Sequence, residues 1–170
     1  MIHASYDAIG TAEEKMNIMA SRNKTLPQVS LGSVGEFRIY GLTLPGLEDL
    51  WDPQAPVCLP AGTALKLLLR IFETRWKLDK DTQARLLKVS PSSLGRYRRG
   101  LSVPRRQEQL QRIGDLLRCY MILRALFPHK PKAAENWFTH ANPRFRPNPV
   151  GHMMRHGTRG VLLYLHGRLG

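Results

Sequence analysis

The stretch Asp79 to Gly100, DKDTQARLLKVSPSSLGRYRRG, carries two helix starts and a helix stop within one short span. Asp79 is an N-cap residue whose carboxylate can accept orphan backbone N–H bonds. From it a first helix runs through Ala84, Leu86 and Leu87 to Lys88, with Ala84 small enough for a close helix crossing. Ser90 is a second N-cap, and Pro91 follows at the first helical position, where a missing N–H costs nothing. Gly100 closes the second helix, because it tolerates positive φ. Two short helices joined by a tight turn are therefore expected, and with them an all-α fold.

In the second helix Leu94 and Tyr97 lie three apart and turn toward the first helix, with Val89 packing beneath the turn. Ser92, Ser93, Arg96 and Arg99 are left outward. Hydroxyls near the helix N-terminus with arginines behind them suit a DNA major groove, where side chains reach base edges and guanidiniums reach guanine or phosphate oxygens. Ser92, Ser93 and Arg96 are the expected base readers, and Arg98 and Arg99 the expected phosphate contacts. The plain reading of the same residues is a helical hairpin with a solvated basic face.

These residues resemble the helix-turn-helix of the Xre and phage-repressor class: an apolar pair around alanine, a turn glycine, and an aromatic-x-x-glycine ending, here Tyr97 and Gly100. Lys88 stands where that class has the turn glycine. Gln83 stands where it has an apolar residue before the alanine.

The formal net charge of +13 calls for a polyanionic partner, and its distribution narrows the choice. Residues 1–60 hold four Lys+Arg against seven Asp+Glu, whereas residues 61–170 hold 22 against six. The basic character belongs to the part with the helix pair. At 170 residues and 42% hydrophobic content the chain can bury a proper core. Its longest apolar runs, LKLLL at Leu65 and VLLYL at Val161, fall far short of the roughly 20 residues a bilayer demands. Without a secretory leader pattern at the N-terminus, a cytoplasmic protein with no membrane partner is expected. Cys58 and Cys119 form no CxxC pair, which argues against a disulfide framework or zinc finger.

Along the chain, residues 1–60 are rich in turn formers, broken by a β-favouring piece, Glu36 to Tyr40, and a short helical pattern at Met16 to Ala20. An irregular N-terminal arm is expected there, partly packed on the body through Leu47, Leu50 and Trp51. From Thr63 apolar residues recur at helical spacing to Trp76, giving the first helix of a DNA-binding bundle over residues 61–104. A long helix then runs from about Arg105 to Phe127, halted by Pro128. Further helices are expected at Pro131 to His140, Val150 to His156 and Thr158 to Gly167, making residues 105–170 a connecting helix and a small helical domain.

Within that last part stand Ala134 and Trp137, Asn142 and Pro143, Pro149 with Met153 and Met154, Gly157 and Gly160, then Val161, Leu165 and Gly167. Their order resembles the C-terminal toxin-binding domain of the MbcA/ParS/Xre antitoxin family, and the likeness extends over about Thr63 to Gly170. The family's glycine-arginine-threonine-proline turn is replaced by Arg146-Pro147-Asn148-Pro149. The resemblance implies a type II antitoxin, a homodimer that represses transcription of its own operon. It also implies neutralisation of a cognate toxin by direct contact, most often a RES-domain enzyme that consumes NAD. From Asn136 onward there is no acidic side chain. Arg144, Arg146, Arg155, His156, Arg159 and Arg168 are the expected toxin contacts, with Leu169 and Gly170 as a tail that plugs the toxin's active site.

His152 and His156, four apart, could share a helix face but have no third ligand type nearby, so no metal is expected. No nucleophile-base signature, paired carboxylates or phosphate loop stands out, so the chain reads as a binder without cofactors rather than an enzyme. The alternative is a stand-alone helix-turn-helix transcriptional regulator whose C-terminal domain only dimerises. An RNA-binding role ranks lower, because exposed aromatics interleaved with the charge are missing.

Overall fold

The structure, a computed structural model, describes residues 28–31, 36–40 and 57–169. The helical pattern at Met16 to Ala20, the packing expected of Leu47, Leu50 and Trp51, and Gly170 lie outside the described residues.

The described residues are mostly helical, with seven helices. These are α1 (Ala61–Thr74), α2 (Lys80–Leu87), α3 (Pro91–Arg98), α4 (Gln107–Leu126), α5 (Pro131–Thr139), α6 (Pro149–His156) and α7 (Arg159–Leu169). A three-stranded antiparallel sheet precedes them: β1 (Gln28–Leu31), β2 (Glu36–Tyr40) and β3 (Val57–Pro60), with β2 in the middle. Val29 faces Ile39 across one ladder and Phe37 faces Leu59 across the other. The expected irregular arm is corrected to this extent. Glu36 to Tyr40 read as β-favouring on its own; its two partners are strands of only four residues, QVSL and VCLP, of which only the first alternates.

Helix α1 opens directly after Pro60, whose φ of −55° suits a helix start. It buries Ala64, Leu65, Leu68, Leu69, Ile71 and Phe72 along one face. Burying side chains such as Leu68 and Phe72 stabilises the fold by about 1.5–3 kcal/mol each. Helix α4 is the axis of the molecule: Leu110, Ile113, Gly114, Leu116, Leu117, Cys119, Met121 and Ile122 are buried on nearly every side of it. Around it pack α1, α2, α5, α7 and strand β1. No helix among the described residues is long and apolar enough to cross a membrane.

One cluster of buried side chains runs from Ala64 to Leu165, across the sequence boundary at residue 104. Trp76, just past α1, joins the two sides. Its ring stacks on Phe138 of α5 with centroids 3.8 Å apart and meets Tyr120 of α4 edge-on at 6.0 Å. Arg75 beside it pairs with Glu135 of α5 at 3.2 Å.

Candidate functional site

The helix pair α2–α3 is built by local caps. Asp79 Oδ1 accepts from the Thr82 N–H at 2.9 Å and Oδ2 from the Thr82 hydroxyl at 2.7 Å. These bonds to the charged form hold the Asp79 carboxyl below its ordinary range. At the other end of α2, Lys88 takes the left-handed conformation, φ 50° and ψ 49°, and its N–H reaches the carbonyls of Ala84 and Arg85. A lysine thus performs the turn that glycine performs more cheaply. Its ammonium lies 3.3 Å from Glu108 of α4. Buried Arg112 of α4 donates to the Leu86 carbonyl at 3.3 Å, which places a cation at the negative end of α2.

Helix α3 starts at Ser90, whose hydroxyl accepts from the Ser93 N–H at 3.2 Å. The same hydroxyl lies 3.0 Å from Ser92 Oγ and 2.9 Å from Ser93 Oγ. Ser93 is half-buried in this cap cluster, whereas Ser92 is exposed. Leu94 is buried and Tyr97 and Val89 pack against the core.

The arginines of α3 divide. Arg96 is exposed and has no hydrogen-bond or ion-pair partner among the described residues. Arg99 is exposed, with only its Nε on the Gly95 carbonyl at 3.3 Å. Arg98, expected on a DNA phosphate, instead turns inward, its guanidinium on Glu73 of α1 and on Gln83 Oε1 of α2 at 2.7 Å. Gln83 is 1% exposed, and its amide donates back to the Leu78 carbonyl at 2.7 Å. The polar residue at an apolar position is thus satisfied on both sides, and Arg98 is occupied in a way that local sequence could not reveal.

Two further features were missed. Gly95 lies between Ser92 and Arg99 on the outward face, and a Cβ built there meets nothing within 4 Å. Beside α3, Lys88, Arg105 and Arg106 line a cleft of about 420 Å³ together with Ser90, Ser93 and Gln109. Spacing from Ser92 could have flagged Gly95. The cleft arginines read only as the start of a long helix.

In the C-terminal part, Asn148 ties α5 to α6: its amide donates to the Thr139 carbonyl at 2.9 Å and its oxygen accepts from the Gly151 N–H at 2.7 Å. Gly157, φ 87°, ends α6. Thr158 anchors the start of α7 by donating to buried Asp115 of α4 at 2.6 Å, while Gln111 holds the other carboxylate oxygen at 2.9 Å.

The expected toxin contacts are spread over the α5–α6 loop, α6 and α7, with Arg146 and Arg155 lining one cleft. Arg155 bonds locally, its Nε donating to the Gly151 carbonyl one turn back in α6 and its Nη2 to the Arg146 carbonyl in the preceding loop. Arg144 and Arg146 are exposed on that loop, His156 is exposed at the end of α6 with its ring centroid 4.7 Å from that of His152, and Arg159 and Arg168 lie on α7. Leu169 ends α7 and Gly170 is not described. None of the five arginines pairs with a carboxylate among the described residues. No family model, no curated protein and no solved structure matches the chain.

Proposed function

We propose that the chain is the antitoxin of a type II toxin–antitoxin pair. Helices α2 and α3 act as a helix-turn-helix on the operator duplex, as a homodimer, and the C-terminal helices bind and silence an enzyme toxin. The observation that carries the DNA half is the outward stripe Ser92, Gly95, Arg96 and Arg99, with Arg96 unpaired and the backbone bare at Gly95. Glycine lets the helix approach base edges closely, Arg96 can reach guanine in bidentate fashion, and Arg99 can neutralise phosphate. Lys88, Arg105 and Arg106 extend the positive surface beside the helix, where each phosphate they neutralise strengthens the salt dependence of binding. Arg98 serves the same end indirectly by fixing α3 against α1 and α2.

The toxin-binding half is supported by the order of the C-terminal motifs from Ala134 to Gly167 and by an arginine-rich surface without acids. A partner with an acidic rim would be steered toward it. The RES-type, NAD-consuming character of the toxin rests on the family likeness alone.

Two measurements test the proposal. Fluorescence anisotropy should show the chain binding a duplex from its own promoter about 10³-fold or more tighter than a scrambled duplex. Equal affinities would remove the DNA half. Co-expression with the product of the adjacent reading frame should restore growth and yield a stable complex. Failure of both, with promoter binding intact, leaves a stand-alone regulator.

A further inference from the structure

Helix α7 buries Val161, Leu162 and Leu165, yet Leu163 in the middle of that run is 61% exposed. At 100° per residue Arg159, Gly160, Leu163, His166 and Gly167 share its outer face, with Tyr164 and then Arg168 following along one edge. Tyr164 is half-buried, stacked at 17° on Trp137 with centroids 6.3 Å apart and edge-on to Phe145 at 5.1 Å. The Arg168 guanidinium lies 5.0 Å above the Tyr164 ring and donates to its hydroxyl at 2.9 Å. An apolar centre is thus bordered along one edge by an aromatic shelf and by a guanidinium already held in place.

Leu163 alone would be an ordinary surface leucine. The surrounding charge makes it more. Arg159 and Arg168 have no carboxylate partner among the described residues, and no acid occurs from Asn136 onward. The preceding acids are taken: Glu135 by Arg75, and Asp115 by Thr158 and Gln111. Tyr, Trp and Arg dominate binding energies where a partner excludes water, and a guanidinium positioned beforehand loses little freedom on meeting a carboxylate.

We infer that the outer face of α7, centred on Leu163, is the seat of the partner protein. The partner surface it fits is an apolar recess edged by Asp and Glu side chains. This rests on the antitoxin reading above and locates the contact on the side of α7, rather than at the tail Leu169 and Gly170. Gly160 and Gly167 leave the helix backbone bare on either side of Leu163, so the recess can close onto the helix itself. The chain's own packing does not need those glycines. A Cβ at Gly167 meets nothing within 4 Å, and one at Gly160 has His152 Nε2 as its nearest neighbour at 3.7 Å.

The probe is the product of the adjacent reading frame, titrated calorimetrically with the full chain and with Gly167→Leu, Leu163→Asp and Arg168→Ala. Gly167→Leu and Leu163→Asp should each weaken the complex by about 30-fold or more, and Arg168→Ala should weaken it and flatten its salt dependence. Thermal melting of all three should be no lower than the wild type and promoter binding should be unchanged, which separates a lost contact from a lost fold. Wild-type affinity in all three overturns this assignment and leaves the antitoxin reading standing. A wild-type chain that binds no adjacent product overturns the antitoxin reading, and this seat with it. A chain that sediments alone as a dimer, and as a monomer with Gly167→Leu, assigns the face to a second copy and also overturns the inference.

Discussion

Arg98 Nη2 donates to Gln83 Oε1 at 2.7 Å across the α2–α3 crossing, so the two residues that look least like core bridge the helix pair. Glu73 completes the arrangement from α1.

Arg98 and Arg99 are therefore expected to behave oppositely. Arg98→Ala leaves the Gln83 oxygen buried and unpaired, and should lower unfolding stability by about 2 kcal/mol while leaving the salt slope of DNA binding unchanged. Arg99→Ala should leave stability within about 0.5 kcal/mol and reduce that slope by about 1. Denaturant unfolding and anisotropy at several salt concentrations measure both. A shallower slope for Arg98→Ala would return it to the phosphate contacts.

Lys88→Gly relieves a left-handed conformation that costs an L-residue about 1 kcal/mol, against the loss of an exposed ion pair worth less than that. The melting temperature should rise by about 2–4 °C. Promoter binding should weaken at the same time, because a cation leaves the cleft beside α3.

Gly95 offers a paired test. Gly95→Ala should raise stability by about 0.5–1 kcal/mol through helix propensity, since the space around it is open. Gly95→Leu should fold equally well and bind the promoter at least about tenfold more weakly, because added bulk stands between α3 and the groove. Undiminished promoter affinity in Gly95→Leu would mean that this face does not approach DNA.

His152 supplies a pH dependence. Burial, the neighbouring His156 and Arg155 hold its imidazole below the ordinary value of 6.5. The unfolded chain then binds more protons than the folded one as pH falls below 6.5, so this contribution is full above that pH and lost on acidification. Melting should drop between about pH 6.5 and pH 5, and His152→Gln should flatten the drop. An identical pH profile in the two proteins would exclude His152 as its source.

What could be read from the sequence was local. Asp79, Ser90 and Pro91 act on backbone groups a few residues away, so the bounds of α2 and α3 were legible within a residue or so. The role of Arg98 was not, because Glu73 and Gln83 stand 25 and 15 positions upstream and meet it only through the fold. The local bond of Arg155 was hidden for a related reason: it reaches a carbonyl nine residues back, in a loop whose path no side-chain pattern encodes. The sheet escaped notice because its outer strands are four residues long: QVSL alternates over too short a run among turn formers, and VCLP does not alternate at all. In VLLYL every residue is apolar or aromatic, so composition could not say that Leu163 alone faces outward.

Trp76, 3% exposed, spends its surface on Phe138 and Tyr120, which lie on the far side of the boundary at residue 104. A protease that clipped the chain near that point would not release two pieces that each keep a closed interior. Each fragment would carry half of a torn hydrophobic cluster, so the chain stands or falls as one folding unit.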